Sequence, residues 1–310
     1  MASCIYVTNR EMIEYHRLNG ANELNFWRPL SQTRMKKFYP GDLIFFLTKT
    51  DIPGKSKEKG IIGYGEYVRS ERLSLSTMWR KYGDKNGYTT LDALHSAMKE
   101  YGNRIPEKIS CLYIDHVVFF NSPVFPSDIG MKIPWNLESY TYTNDGKNDY
   151  TYKLLEAGSR VGLNYWAATM TSNKAEEDWF NKDLRRNRVS VFEESIPDLE
   201  LSKSVIKSGE SAISAYTREN PGLKKVNEKA KIWYEDDEQG GTVWIPCLIG
   251  VRDIEKLKTL AGHLWMWAKK LTDEKAQTRV KVLVKPETAK ALTERFFLPE
   301  RVTLVPFDQE

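Results

Sequence analysis

Pro40-Gly41-Asp42-Leu43-Ile44-Phe45-Phe46-Leu47 and, after a charged loop, Gly60-Ile61-Ile62-Gly63-Tyr64-Gly65-Glu66-Tyr67-Val68 are the stretches whose reading decides the fold of this chain. Each is a short apolar run bounded by turn residues, the pattern of a β-strand. Pro40-Gly41-Asp42 is the turn that opens the first run, and Pro53-Gly54-Lys55 lies in the loop between the two. Gly60, Gly63 and Gly65 each weaken a strand entropically, so their density predicts tight curvature or another group approaching the backbone closely. Together the two runs read as part of the wall of a small β-barrel.

Outward from this core, Ser74-Leu75-Ser76-Thr77-Met78-Trp79 opens one helix and Thr90-Leu91-Asp92-Ala93-Leu94 another, with the turn Gly83-Asp84-Lys85-Asn86-Gly87 between them. Strand character returns at Leu112 to Phe120. A loop bearing Pro123, Pro126 and Pro134 then leads to Trp135. The charged stretch 173–205 reads as a connector. Beyond it come a helix at 208–219, a hairpin around Gln239-Gly240-Gly241, a long helix, and a strand, helix and strand. Ile254, Leu257, Ala261, Leu264, Trp265, Ala268 and Leu271 form one apolar stripe on the long helix. The final strand, helix and strand predict a βαβ unit with parallel strands. The fold class is therefore α+β, with a small β-barrel carrying a helical insertion over 1–172, the connector 173–205, and an α/β domain over 206–310.

Composition narrows the function classes. With 41% hydrophobic and 28% charged residues, the 310-residue chain is an ordinary globular protein rather than a disordered or membrane one. No long uncharged apolar segment and no basic n-region is present in the sequence, so a cytoplasmic protein without a secretory signal is expected. The three cysteines, Cys4, Cys111 and Cys247, are far apart and match no disulfide or zinc spacing. His16, His95, His116 and His263 form no metal-ligand motif. A net charge of +4 admits a nucleic-acid partner without demanding one.

The succession Asn25-Phe26-Trp27-Arg28-Pro29, Arg34-Met35-Lys36-Lys37, the Gly41-Asp42 turn and the glycine-rich strand resembles the PUA-like superfamily, particularly its EVE and ASCH-type members. Through Arg72-Leu73-Ser74-Leu75-Ser76, Tyr82 to Gly87 and Phe119-Phe120 to Trp135 it is similar to the N-terminal domain of some bacterial proteins that carry an HNH endonuclease module. The resemblance implies a barrel whose concave side takes a flipped or single-stranded base of DNA or RNA, including a modified one, as in defence and restriction systems. Trp27, Phe45, Tyr64 and Trp135 would supply stacking faces, Asn25, Ser31 and Gln32 would read a base edge, and Arg28, Arg34, Lys36 and Lys37 would hold phosphates. The competing reading puts Trp27 and Phe45 in the barrel core and the cations on a solvated face.

The C-terminal half is similar in element order to PD-(D/E)XK nucleases, but the strand Thr242-Val243-Trp244-Ile245-Pro246-Cys247 lacks the acid-x-Lys such an enzyme needs. The leading expectation is a reader of nucleic acid with no cofactor and no catalysis. The alternative is a modification-dependent nuclease in which Glu210, Asp236 and Asp237 bind Mg²⁺. A third reading is a protein-interaction module, with Trp265 and Trp267 making a homodimer through the C-terminal domain.

Overall fold

The computed structural model of the protein describes residues 3–28, 35, 38–50, 58–100, 105–164, 175–220, 222–226, 231–236, 240–252, 254–272 and 278–307. The chain forms two compact units, Met1–Asn181 and Lys182–Glu310.

In the first unit β1 (Cys4–Val7), β2 (Leu24–Arg28), β3 (Leu43–Lys49), β4 (Lys59–Leu73), β5 (Ile109–Val124) and β6 (Tyr140–Tyr142) make one sheet in the order β2-β5-β4-β3-β1-β6. β1 runs parallel to β3, and the other pairs are antiparallel. The sheet curls strongly. Phe26 on the β2 edge meets Tyr6, one strand in from the opposite edge, with ring centroids 4.8 Å apart. Curling comes from the long β4–β5 pair, whose register shifts at three places. At Gly63 a Cβ would lie 2.4 Å from the Val118 carbonyl oxygen, so the glycine is there because β5 approaches the backbone too closely for any side chain.

Both faces of this sheet are buried. Ile44, Phe46, Ile62, Leu112 and Phe119 fill the inside of the curl. On β3 the alternate residue Phe45 points the other way, to Tyr64 at 5.5 Å. Tyr64 in turn packs with Phe120 and Phe180. The helical insertion is α2 (Leu75–Tyr82) and α3 (Leu91–Lys99), following α1 (Arg10–Leu18) earlier in the chain. The Ser74 and Thr90 side chains accept hydrogen bonds from the backbone N–H groups of Thr77 and Ala93, which is why these helices start where the sequence puts them. α4 (Thr151–Val161) buries Leu154 and Leu155.

The stretch read as a connector contains α5 (Ala175–Ser195), and the division between the units falls within it. Phe180 packs on the first unit's Tyr64, whereas Val189 belongs to the second unit's core.

That second unit has the sheet order β11-β10-β9-β8-β7, built from β7 (Lys224–Lys225), β8 (Trp233–Glu235), β9 (Thr242–Pro246), β10 (Arg279–Val284) and β11 (Val302–Pro306). β9, β10 and β11 are parallel, as the strand-helix-strand reading requires, and β7, β8 and β9 are antiparallel. α6 (Lys203–Glu219) packs Ala212 and Ile213 on Trp233, Trp244 and Leu283. α7 (Ile254–Thr272) and α8 (Pro286–Arg295) contribute to the other cluster, with Val243, Ile245, Val280 and Val282. The buried stripe of α7 is Leu257, Leu260, Ala261, Leu264, Trp267, Ala268 and Leu271. This corrects the sequence reading in two ways. Ile254 and Trp265 are about half exposed, and Trp267, offered above as a dimer contact, is fully buried and unavailable to a partner. No helix among the described residues is long and apolar enough to cross a membrane.

Candidate functional site

Arg28 of β2, Ser110 of β5 and Arg72 of β4 are partners across the ladder and stand in one row on one face. With strands about 4.8 Å apart, the two arginine Cα atoms are about 10 Å apart. They line a cleft of about 230 Å³ at the open end of the curl, together with Phe38, Tyr67 and Ser70. The Phe38 and Tyr67 rings stack at 4.8 Å with 28° between their planes. Tyr67 is held by the Gly-Asp turn: its backbone N–H donates to the Asp42 carbonyl at 2.9 Å, and its carbonyl accepts from Gly41 at 2.8 Å. The turn is itself braced by the Tyr39 N–H donating to the Asp42 carboxylate at 2.8 Å. Gly41 has φ of +93°, a conformation that favours glycine.

Positive charge dominates this cleft. Arg28 is buried, donates to Ser110 Oγ at 3.4 Å and lies 5.7 Å over the Tyr6 ring. Burial pushes the Tyr6 hydroxyl above its ordinary range, and the Arg28 charge opposes that shift. Burial likewise pushes the Cys4 thiol well up, with Asp42 adding to the effect and Arg28 opposing it. Arg72 is exposed. The acid at the rim, Glu71, is partly desolvated, yet Lys81 and Tyr82 hold its carboxyl below the usual range through hydrogen bonds. Glu71 is therefore matched by Lys81, and Arg72 presents its charge at the exposed side of the cleft.

Among the described residues, the one anticipated from the sequence that lines this cleft is Arg28. Asn25 is buried and donates to the Asn86 side chain at 2.8 Å. Trp27 is 4% exposed, with its indole N–H on the Asn86 carbonyl and its ring beside Tyr88. Phe45 and Tyr64 are fully buried on the far face of the sheet. Burial leaves these rings no open face, which corrects their assignment as stacking platforms. Trp135 is exposed, but it lies beside Lys59, at the opposite end of β4 from Arg72. Ser31, Gln32, Arg34, Lys36 and Lys37 lie outside the described residues. Phe38, Tyr67, Ser70, Arg72 and Ser110 were not anticipated. The signal for them was the length of β4, which carries the glycine-rich run on to Arg72 and sets that residue opposite Ser110.

Half of the chain is similar in fold to ASCH domain structures. The ASCH protein of Zymomonas mobilis covers 52% of this chain and 96% of its own at 13% identity, with a TM-score of 0.34. Its tyrosine-to-phenylalanine variant covers 50% of this chain and 98% of its own at 15% identity and a TM-score of 0.35. No protein family and no curated protein matches the chain. The cleft rests on its own geometry and takes nothing from the likeness to ASCH.

Two of the three acids of the nuclease alternative are engaged by basic partners. Arg185 binds Asp236 through two nitrogens, at 2.8 and 3.0 Å, and Tyr234 also donates to Asp236 at 2.9 Å. Glu210 pairs with Lys225 at 3.2 Å, and Asp237 lies outside the described residues. Among the described residues no cluster of acids, histidines or cysteines fits a metal ion. Asp236→Ala is expected to destabilise the second unit by about 1–3 kcal/mol, since it leaves a half-buried guanidinium without its charged partner. Urea unfolding measures this. Equal stability of variant and wild type, with Mg²⁺ raising the midpoint of the wild type alone, would instead mark Asp236 as a metal ligand.

Proposed function

We propose that the N-terminal unit binds nucleic acid at the cleft that Arg28 and Arg72 line, with a backbone phosphate against Arg72 and Ser110 and the buried Arg28 charge beneath it. The observation that carries this reading is the row Arg28, Ser110, Arg72 lining one cleft. Two guanidiniums at that spacing suit a phosphate diester, and a hydroxyl between them supplies a further donor. A preference for a modified base, where binding shows one, would suit a role in bacterial defence. The reading is one of binding without cleavage.

The test is fluorescence anisotropy of the full chain at low salt with single- and double-stranded DNA and RNA, with and without modified bases. Arg72→Ala should weaken every sequence alike, by about 10-fold or more, and lower the slope of log affinity against log salt by about 0.7–0.9. Arg28→Lys should weaken binding too, because an ammonium cannot reproduce a forked contact. Absence of binding by the intact chain, or affinity indifferent to both substitutions, refutes the proposal.

A further inference from the structure

Trp135 is 83% exposed, and it sits on a braced loop. The backbone N–H of Met131 donates to Pro126 at 2.9 Å and that of Leu137 to Pro134 at 3.0 Å. Lys59 donates to the Leu137 carbonyl, and Ser127 ties the loop to Glu58 through both its backbone N–H at 2.9 Å and its hydroxyl at 2.8 Å. The indole forms one side of a cleft of about 340 Å³, with Met131, Ile133 and Pro134 as apolar lining and Lys59 and Lys132 as its cations. Partial burial and the neighbouring Lys49 both disfavour the charge on Lys59, so an anion entering the cleft would relieve that cost. Glu58 is the acid in the lining, and it is engaged by Ser127.

We infer that this cleft is a second nucleotide site, in which a base stacks on Trp135 and its phosphate meets Lys132 and Lys59. An open aromatic face beside two ammonium groups is what an unstacked nucleotide needs, since every base has a π-face and the backbone supplies the negative charge. The inference builds on the nucleic-acid reading above and extends it. Lys59 opens β4 and Arg72 lies thirteen residues further along it. At about 3.3 Å per residue the two clefts are separated by up to about 40 Å of strand, less the shortening from bulges. One single strand contacting both would fall within the range of about 4–16 nucleotides seen for small binding barrels.

The experiment uses the full chain with labelled oligo(dT) and oligo(rU) of about 15 nucleotides at low salt. Trp135→Ala should weaken binding by about 5- to 150-fold with an unchanged thermal midpoint, and Trp135→Phe should recover most of that loss. Lys132→Ala should lower the salt slope by about 0.7. Arg72→Glu separates the two sites. If Arg72→Glu loses affinity and Trp135→Ala does not, this inference is wrong and the first site stands. The reverse result keeps the Trp135 site and overturns the first. Absence of binding by the wild type overturns both. Concentration-dependent self-association that Trp135→Ala abolishes, with nucleic-acid affinity untouched, assigns the indole to contact between copies of the chain and also overturns the inference.

Discussion

Replacing Tyr64 with Ala is expected to cost about 3–5 kcal/mol of stability and to leave the nucleic-acid affinity of the folded fraction unchanged. The ring is fully buried and touches three others, Phe45 at 5.5 Å and Phe120 and Phe180 at 6.3 Å each. Removing it deletes apolar area and leaves a cavity. The surroundings cannot collapse into that space, because β5 already abuts the β4 backbone at Gly63. For a unit of this size the loss corresponds to a fall of about 6–20 °C in the thermal midpoint. Unfolding by heat and by urea, with binding measured well below the transition, checks it. A variant within about 1 kcal/mol of wild type that no longer binds would restore Tyr64 as a stacking platform and displace the packing account.

The second large effect is a loss of stability in mild acid. His16 and His263 are both buried, and burial pushes each imidazole down to about 4. Asp84 opposes the shift at His16, and the Pro197 backbone and Asp198 oppose it at His263. At His263 the neutral ring also has a partner to keep, since Nε2 accepts the Trp267 indole N–H at 3.2 Å. A histidine whose folded value is depressed costs nothing above its unfolded value near 6.5. Below it the unfolded chain takes a proton that the folded chain refuses. Stability therefore falls as pH drops from about 6.5 to about 4, by about 1.4 kcal/mol per pH unit for each group, or about 3 kcal/mol each across the window. Glu176 and Glu193, whose carboxyls burial holds above the usual range, work in the opposite direction and return some stability as pH falls through their raised values. Urea midpoints at pH 7, 6, 5 and 4 should show the decline, and His263→Gln should reduce the slope by about one proton in the second unit. A flat profile between pH 6.5 and 4.5 would refute it.

These two results mark where the sequence was legible and where it was not. Local signals were read correctly wherever they were strong. The Ser74 and Thr90 caps, the glycine-dense strand and the parallel βαβ order all depend on neighbours in sequence. α1 and α4 were missed although each is amphipathic, burying Met12 and Ile13 on the one and Leu154 and Leu155 on the other. The stacking residues failed for a physical reason. A curled sheet with both faces covered has lost the alternation of apolar and polar residues, so sequence cannot tell Phe45, which faces outward, from Phe46, which faces inward. Trp265 and Trp267 pose the same problem on a helix, where two apolar rings two residues apart fall on different sides. The cleft was hidden because its row joins Arg28, Arg72 and Ser110 across a register that no local pattern encodes.

The placement of β1 has a consequence for biosynthesis. Cys4 to Val7 lie between β3 and β6, so β1 is held on one side by residues 44–47, made soon after it, and on the other by residues 140–142, made much later. The sheet's outer layer also waits for Phe180. At about 5–20 residues per second β1 spends roughly 5–20 seconds half-paired, with one edge exposed to other nascent chains. Expression conditions that slow elongation before residue 180 lengthen that interval, whereas a trigger-type holdase covering the first strand would protect it.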